Sequence, residues 1–324
     1  YTAVLILRDK QEKMVEVVSD RMGFRSVERV DNQILVNGEP IYIKGVNRFE
    51  HDPKTERTIT SNLMEKDVRL MKQFNINAVR MPCYAHHPVF YDMADEYGFY
   101  LMNEAEVETH FRGPFHKDPG WREAHLDRMR RVVERDKNHP SVIMWSVGNE
   151  NTVGPNLDSM SRWVRKRDPG RVIYYDHIMD PSNPDTDILF STYENPSSLK
   201  EKANDQMPVI MKEYAHSQGN ATGNLSEIWD VIENPEYASL QGGFIFDWID
   251  QSIQVGENDD AYFTYGGKDF GLTWDAHFQN CGLMNPDREP HPGLWEVKKV
   301  YQNIVVEPVD LSEGQILIRN EHFF

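Results

Sequence analysis

The chain has 324 residues, enough for one large domain or two, with 39% hydrophobic and 27% charged residues, an ordinary globular composition. No apolar run approaches the roughly 18 residues of a spanning helix, so no membrane partner is expected. The formal charge of −17 argues against nucleic acid, which asks for clustered Lys and Arg, and an uncharged substrate fits better.

Residues 1–27 read as the end of a preceding β-sandwich domain: "YTAVLILRD" alternates, "KQEK" turns, and "MVEVVSDRMGF" returns. From Ile41 the pattern changes to short apolar strands separated by helix-period segments. The strands are "IYIKGVN" (41–47), "AVRM" (78–81), "YLMNEAE" (100–106), "VIMWSVGNE" (142–150), "VIYYD" (172–176), "ILFSTY" (188–193), "VIMKEY" (209–214) and "GFIFDWID" (243–250). Helices are expected at "NLMEKDVRLMKQF", "HPVFYDMADEYG", "WREAHLDRMRRVVERDKN" and "NLSEIWDVIEN", the second with Pro88 near its start and Gly98 at its end. Within the third, "RMRRVVERDK" reads as a solvated face. The tail after residue 305 resembles the start of another β-sandwich.

Eight strands with crossovers over residues 28–305 predict an α/β fold, a (β/α)8 barrel with sandwich remnants at both ends. A doubly wound sheet is the alternative, disfavoured because no glycine-rich phosphate loop follows a strand. The start at Tyr1 and the end at Phe324 read as those of a fragment. The compartment stays open between cytoplasm and periplasm or secretion. Cys83 and Cys281 are too few for a disulfide framework or thiolate site, and a single bridge between them stays open.

Barrel active sites form at the carboxyl ends of strands. That rule selects Glu150 on the fourth strand and Glu213 on the seventh, with Arg80, Glu104, Glu106, Glu108, His110 and Tyr193 at the same rim. Two carboxylates across a barrel mouth suit glycoside hydrolysis. A strand-end glutamate taken alone is more often a salt-bridge partner or a solvated rim residue.

The segment from Gly23 to about Ile304 resembles the catalytic domain of glycoside hydrolase family 2, the bacterial β-galactosidase type. The resemblance rests on "GFRSVE", "NGEPIYIKGVNR", "ETH", "RDKNHPSVIMWSVGNE", "EYAHSQGN", "QGGFIFDWIDQS" and "PHPGLWEVKKVYQ". It implies a retaining exo-glycosidase with Glu150 as general acid/base and Glu213 as nucleophile, their carboxyls roughly 5–5.5 Å apart. Asn149 matches the residue that binds the 2-hydroxyl, His216 a sugar-binding histidine, and Tyr193 and Arg80 residues that hold the nucleophile. Glu108, His110 and Glu150 match ligands of a magnesium ion, and a sodium site is implied where Cys281 aligns with an asparagine, Asn280 being adjacent. Trp274 is a candidate for a further sugar subsite, while Trp121 and Trp295 read equally as packing.

The departures from the family pattern thin the polar sugar contacts. Phe49 and Cys83 stand where the family places histidines, and Phe246 stands where it places a tryptophan platform. They point to a β-galactosidase-like enzyme acting on a modified galactoside or a polysaccharide-derived sugar. β-Glucuronidase and β-mannosidase are the neighbouring activities, and a carbohydrate-binding barrel without catalysis is the alternative from another class. The full-length protein is expected to be a homo-oligomer.

Overall fold

A strand forms at each of the eight expected runs, the eighth displaced to start three residues earlier and stop before Phe246, and nearly every strand residue is buried, as expected for parallel strands covered on both faces. In this computed structural model, residues 1–110, 113–219, 221–271 and 279–323 are described. The barrel strands are β1 Ile43–Asn47, β2 Ala78–Met81, β3 Tyr100–Glu104, β4 Val142–Ser146, β5 Val172–Tyr174, β6 Leu189–Ser191, β7 Val209–Tyr214 and β8 Leu240–Ile245. They pair in the order β5-β4-β3-β2-β1-β8-β7-β6, all parallel. An isolated parallel bridge between Tyr174 and Ile188 joins the two outer strands and closes the cylinder.

Two hydrophobic clusters follow from the alternation of side chains along the strands. Ile43, Ala78, Met102, Met144, Val172, Ile210 and Phe244 fill the barrel interior. A second cluster lies between strands and helices, with Val46, Val79, Leu101 and Val209 meeting Met64, Met71, Met129 and Leu225. A small antiparallel sheet, Val27–Val30, Gln33–Val36 and Glu39–Pro40, closes the amino-terminal end. Its Ile34 and Val36 extend the interior cluster, and Gln241 of β8 holds its backbone through bonds to Ile34 and Ile41. One end of the cylinder is therefore plugged, which leaves the carboxyl end for chemistry.

The helices are α1 Ser61–Gln73, α2 Pro88–Tyr97, α3 Arg122–Asp136, α4 Pro155–Arg167, α5 Pro196–Lys202, α6 Leu225–Ile232 and α7 Pro292–Val300. Thr60 caps α1 through its side chain, and proline opens α2, α4, α5 and α7, where a missing N–H costs nothing. The crossover from β5 to β6, residues 175–188, contains no helix. The reading of "RMRRVVERDK" as a solvated face is corrected. Met129, Val132, Val133 and Asp136 are buried at helical spacing, and Asp136 is drawn inward because its carboxylate accepts from Asn103 at 2.7 Å.

Residues Thr2–Arg8 and Met14–Arg21 form an antiparallel hairpin, as do Ile304–Asp310 and Gln315–Asn320, and both hairpins are largely exposed. Among the described residues no helix is long and apolar enough to cross a membrane.

Candidate active site

The polar exit of β4 has a steric cause. Gly148 adopts φ +137°, and a Cβ there would lie 2.3 Å from the Val107 carbonyl. This close approach lets the extensions of β3 and β4 pair beyond the barrel, through the Asn149 N–H to Val107 and a bridge between Glu108 and Asn149. Glu150 then takes a left-handed φ of +46°, its N–H donating to Asp176 Oδ2 at 2.8 Å. The chain thereby turns from strand to site in three residues.

Arg80, fully buried on β2, organises the mouth. Nε and Nη2 donate to Glu104 Oε2 at 3.2 and 2.8 Å. Nη1 donates to Asn47 Oδ1 and Glu213 Oε1, both at 2.9 Å, and Nη2 also reaches Asn149 Oδ1 at 2.7 Å. All five guanidinium N–H groups are used, which suits a cation that cannot shed its charge. The other oxygen of Glu213 accepts from the Tyr193 hydroxyl at 2.9 Å. Burial, reinforced by the charge of Glu213, pushes the Tyr193 phenol well above its ordinary range, so the hydroxyl stays a donor.

Beside this network lie Glu108, His110 and Glu150, with one ligand atom of each within 4.8 Å of the others. His110 Nδ1 contacts Glu150 Oε2, and Asn149 Nδ2 donates to Glu108 Oε1 at 3.2 Å, joining the cluster to Arg80. Two carboxylates and an imidazole on partly exposed residues fit one divalent cation that keeps part of its water. No disulfide joins Cys83 and Cys281. The Cys83 thiol donates to Glu108 Oε2 at 2.7 Å, and its N–H donates to Glu104 at 2.7 Å. Burial pushes that thiol far above its usual range.

An aromatic wall forms the other side. His216 stacks on Phe246 at 5.3 Å, Phe246 meets Phe49 edge-on at 6.0 Å, and Phe49 lies 6.4 Å from Tyr84. Burial lowers the pKa of His216, which favours a neutral imidazole. Tyr193 links wall to network, its ring 6.0 Å from His216. Cys281 is fully buried, its carbonyl accepting from the Asp247 N–H, and Asn280 Oδ1 accepts from Ser252. Trp274 lies outside the described residues. Trp121 and Trp295 lie on the outer surface against Phe115 and Phe74.

Three groups escaped the sequence reading: Asn47 at the end of β1, Asp176 after β5 and Lys212 on β7. Lys212 Nζ lies 2.8 Å from Asp176 Oδ2 and 3.0 Å from Asn149 Oδ1. The one available signal was a lysine inside the apolar run "VIMKEY".

The profile described as "Glycosyl hydrolases family 2, TIM barrel domain" matches residues 27–306. The chain belongs to glycosyl hydrolase family 2. This family 2 barrel is 39% identical over 344 residues to a beta-galactosidase of Photobacterium profundum, covering 100% of the chain and 33% of that protein. It is 40% identical over 345 residues to a beta-galactosidase of Vibrio cholerae, with the same coverage of each, 100% and 33%. A beta-galactosidase of Pseudoalteromonas haloplanktis is 41% identical over 94% of the chain and 31% of its own length. The chain thus spans about a third of the length of the curated relatives it matches. Among solved structures, a family 2 beta-galacturonidase from Eisenbergiella tayi bound to galacturonate superposes with a TM-score of 0.76 at 19% identity, over 93% of this chain and 58% of that one. A Ruminococcus gnavus beta-glucuronidase gives 0.75 at 18% identity, over 93% and 57%. At that identity the two structures bear on the fold alone.

Proposed function

We propose that this barrel is the catalytic domain of a retaining, exo-acting β-glycosidase that hydrolyses β-galactosides. The observation that carries the reading is the sharing of Arg80 between Glu213 and Asn149, with Glu150 next in the chain. One cation positions both the carboxylate that attacks and the carboxamide that holds the sugar. In the first step Glu213 attacks the anomeric carbon while Glu150 gives its proton to the departing glycosidic oxygen. Arg80 and Tyr193 each hold one oxygen of Glu213, which fixes the plane of the carboxylate. Glu150 then takes a proton from water, which attacks the same carbon and frees Glu213 with retention of configuration. The amide of Asn149 faces the sugar 2-hydroxyl, a contact that strengthens as positive charge develops on the ring.

Glu108, His110 and Glu150 would hold a magnesium ion, which when bound supplies positive charge beside the acid/base. The name beta-galactosidase carried by its relatives supports reading the substrate as a galactoside and not a glucuronide or mannoside. The edge-on contact of Phe49 with Phe246 favours a second, narrower reading. An apolar wall there suits a galactoside that lacks or masks a hydroxyl at that face, as a polysaccharide-derived sugar does. We read the full-length protein as a homo-oligomer whose neighbouring domains complete the pocket.

The test uses the full-length protein with a 2-fluoro β-galactoside trap and a panel of chromogenic β-glycosides. A covalent adduct on Glu213, absent in Glu213→Gln, is the expected result. Reversible binding with no adduct would replace the enzyme by a carbohydrate-binding barrel. Turnover of a plain nitrophenyl β-galactoside as fast as by the named relatives would remove the modified-sugar reading.

A further inference from the structure

Lys212 is 3% exposed, and its ammonium bonds to residues that follow β4 and β5. In a regular strand the neighbour of an inward residue points outward. Here the pairing of β7 with β8 shifts register between Met211 and Tyr214, and the consecutive residues Lys212 and Glu213 both find polar partners at the barrel mouth. Irregularities of this kind commonly re-aim side chains beside active sites.

We propose that the Lys212–Asp176 ion pair is a positioning device that sets the amide of Asn149 and the backbone of Glu150. The proposal rests on the roles given to those two residues above. Asn149 Oδ1 accepts from two cations, Arg80 Nη2 at 2.7 Å and Lys212 Nζ at 3.0 Å. A flipped amide would turn its NH2 group onto both cations and find no acceptor. The amide is therefore held with its nitrogen toward Glu108 and the mouth, 3.2 Å from Glu108 Oε1. Asp176 carries the second half of the device. Its Oδ2 accepts both from Lys212 and from the Glu150 N–H at 2.8 Å, and its Oδ1 accepts from the Tyr174 hydroxyl at 3.1 Å. Lys212 Nζ also lies 5.7 Å from the centre of the Phe190 ring, so its remaining face is occupied as well. A single ammonium on β7 thus ties the chain after β4 to the chain after β5, with Glu150 held at φ +46° between them.

The two halves have separable consequences. Loss of the ammonium leaves the Asn149 carbonyl on Arg80 alone, with one of its two cationic holds gone, so the contact with the 2-hydroxyl suffers most. Loss of the Asp176 carboxylate frees Glu150, so proton transfer suffers whatever the sugar carries at its 2-position.

The experiment compares a nitrophenyl β-galactoside with its 2-deoxy analogue in the full-length protein. Lys212→Met is expected to lower kcat on the galactoside by about 10- to 100-fold, the rate equivalent of a charge-assisted hydrogen bond, with KM little changed. The 2-deoxy substrate, which has no hydroxyl to hold, should lose much less, so the ratio of the two rates collapses. Lys212→Arg should restore part of that ratio, and Asp176→Asn should lower both substrates together. The double variant Lys212→Met with Asp176→Asn leaves no unpaired buried charge, and it reads the same ratio if the single variant folds poorly. Equal loss on both substrates in Lys212→Met, or no loss, overturns the proposal. If the parent protein hydrolyses no β-glycoside, the catalytic reading falls by itself, and a crystal structure of Lys212→Met decides the positioning role. An Asn149 amide swung off Arg80 supports it, and an amide in place overturns it.

Discussion

Arg80 connects four side chains, and its burial makes each connection consequential. Glu104 is as inaccessible as Arg80 itself, and Glu213 is only 6% exposed. Replacing the cation by an apolar residue leaves buried carboxylates without their partner, which typically costs about 3–5 kcal/mol. Arg80→Met is therefore expected to lose stability on that scale in urea unfolding, together with nearly all turnover. Arg80→Lys should fall between, because an ammonium has three donors where the guanidinium makes five hydrogen bonds to four acceptor atoms. A Met variant as stable as the parent would refute this account of the mouth. At this scale Arg80, Asn149, Glu150, Tyr193 and Glu213 were legible because strand ends in a barrel converge by construction. Lys212 was not, because alternation along β7 assigns it to the opposite face from Glu213, and only the register shift between Met211 and Tyr214 brings both to the mouth.

At the scale of elements, the seam between β1 and β8 depends on close backbone approach. Gly242 has φ +94°, and a Cβ there would lie 2.3 Å from the Ile43 carbonyl, an atom fixed in the sheet. Gly98, which ends α2, also has positive φ, +71°, but nothing lies within 4 Å of its missing Cβ. Gly242→Ala should lose more than the about 1–3 kcal/mol of backbone strain alone, and Gly98→Ala should stay within that range. Equal losses in paired denaturant titrations would show that the seam is not tight. The four helices named from the sequence have clear apolar stripes. α4 did not, since Asn156 and Ser161 sit on its buried face, and α5 spans only seven residues. The empty crossover from β5 to β6 is a property of the assembled barrel, where a bridge from Tyr174 to Ile188 closes the ring without a helix.

For the whole molecule, the buried histidines predict how stability responds to acid. His51 donates to the Ser252 carbonyl at 2.8 Å, and burial, aided by Arg57 and Arg288, lowers its pKa to about 4. His86 is lowered in the same direction by burial and Arg48. The unfolded chain binds these protons near the ordinary value of about 6.5, so acidification below that point favours unfolding. Stability should fall as pH drops from about 6.5 toward 4, and His51 alone accounts for about 2 kcal/mol between pH 7 and pH 5. His291 acts with the opposite sign: its bond to Asp250 raises its pKa, so its contribution is present in acid and fades as pH rises. His51→Gln can still donate to Ser252 but no longer titrates, and it should flatten the decline measured by urea unfolding at the two pH values. An unchanged decline would rule out His51 as a contributor.

The sequence by itself determined the eight apolar runs, their polar exits and the two glutamates on the fourth and seventh of them. Those features are local, since a strand buried on both faces must be apolar until it reaches the mouth. It also carried the motifs of the family to which the chain belongs. Tertiary structure decided what stands beside what. Arg80, Asn149, Asp176, Lys212 and Glu213 come from four different strands or strand exits, and Cys83 came to rest on Glu108 instead of pairing with Cys281. Which donor reaches which acceptor depends on the closure and stagger of the barrel and on one register shift in β7, and these are set by packing among residues far apart in the chain.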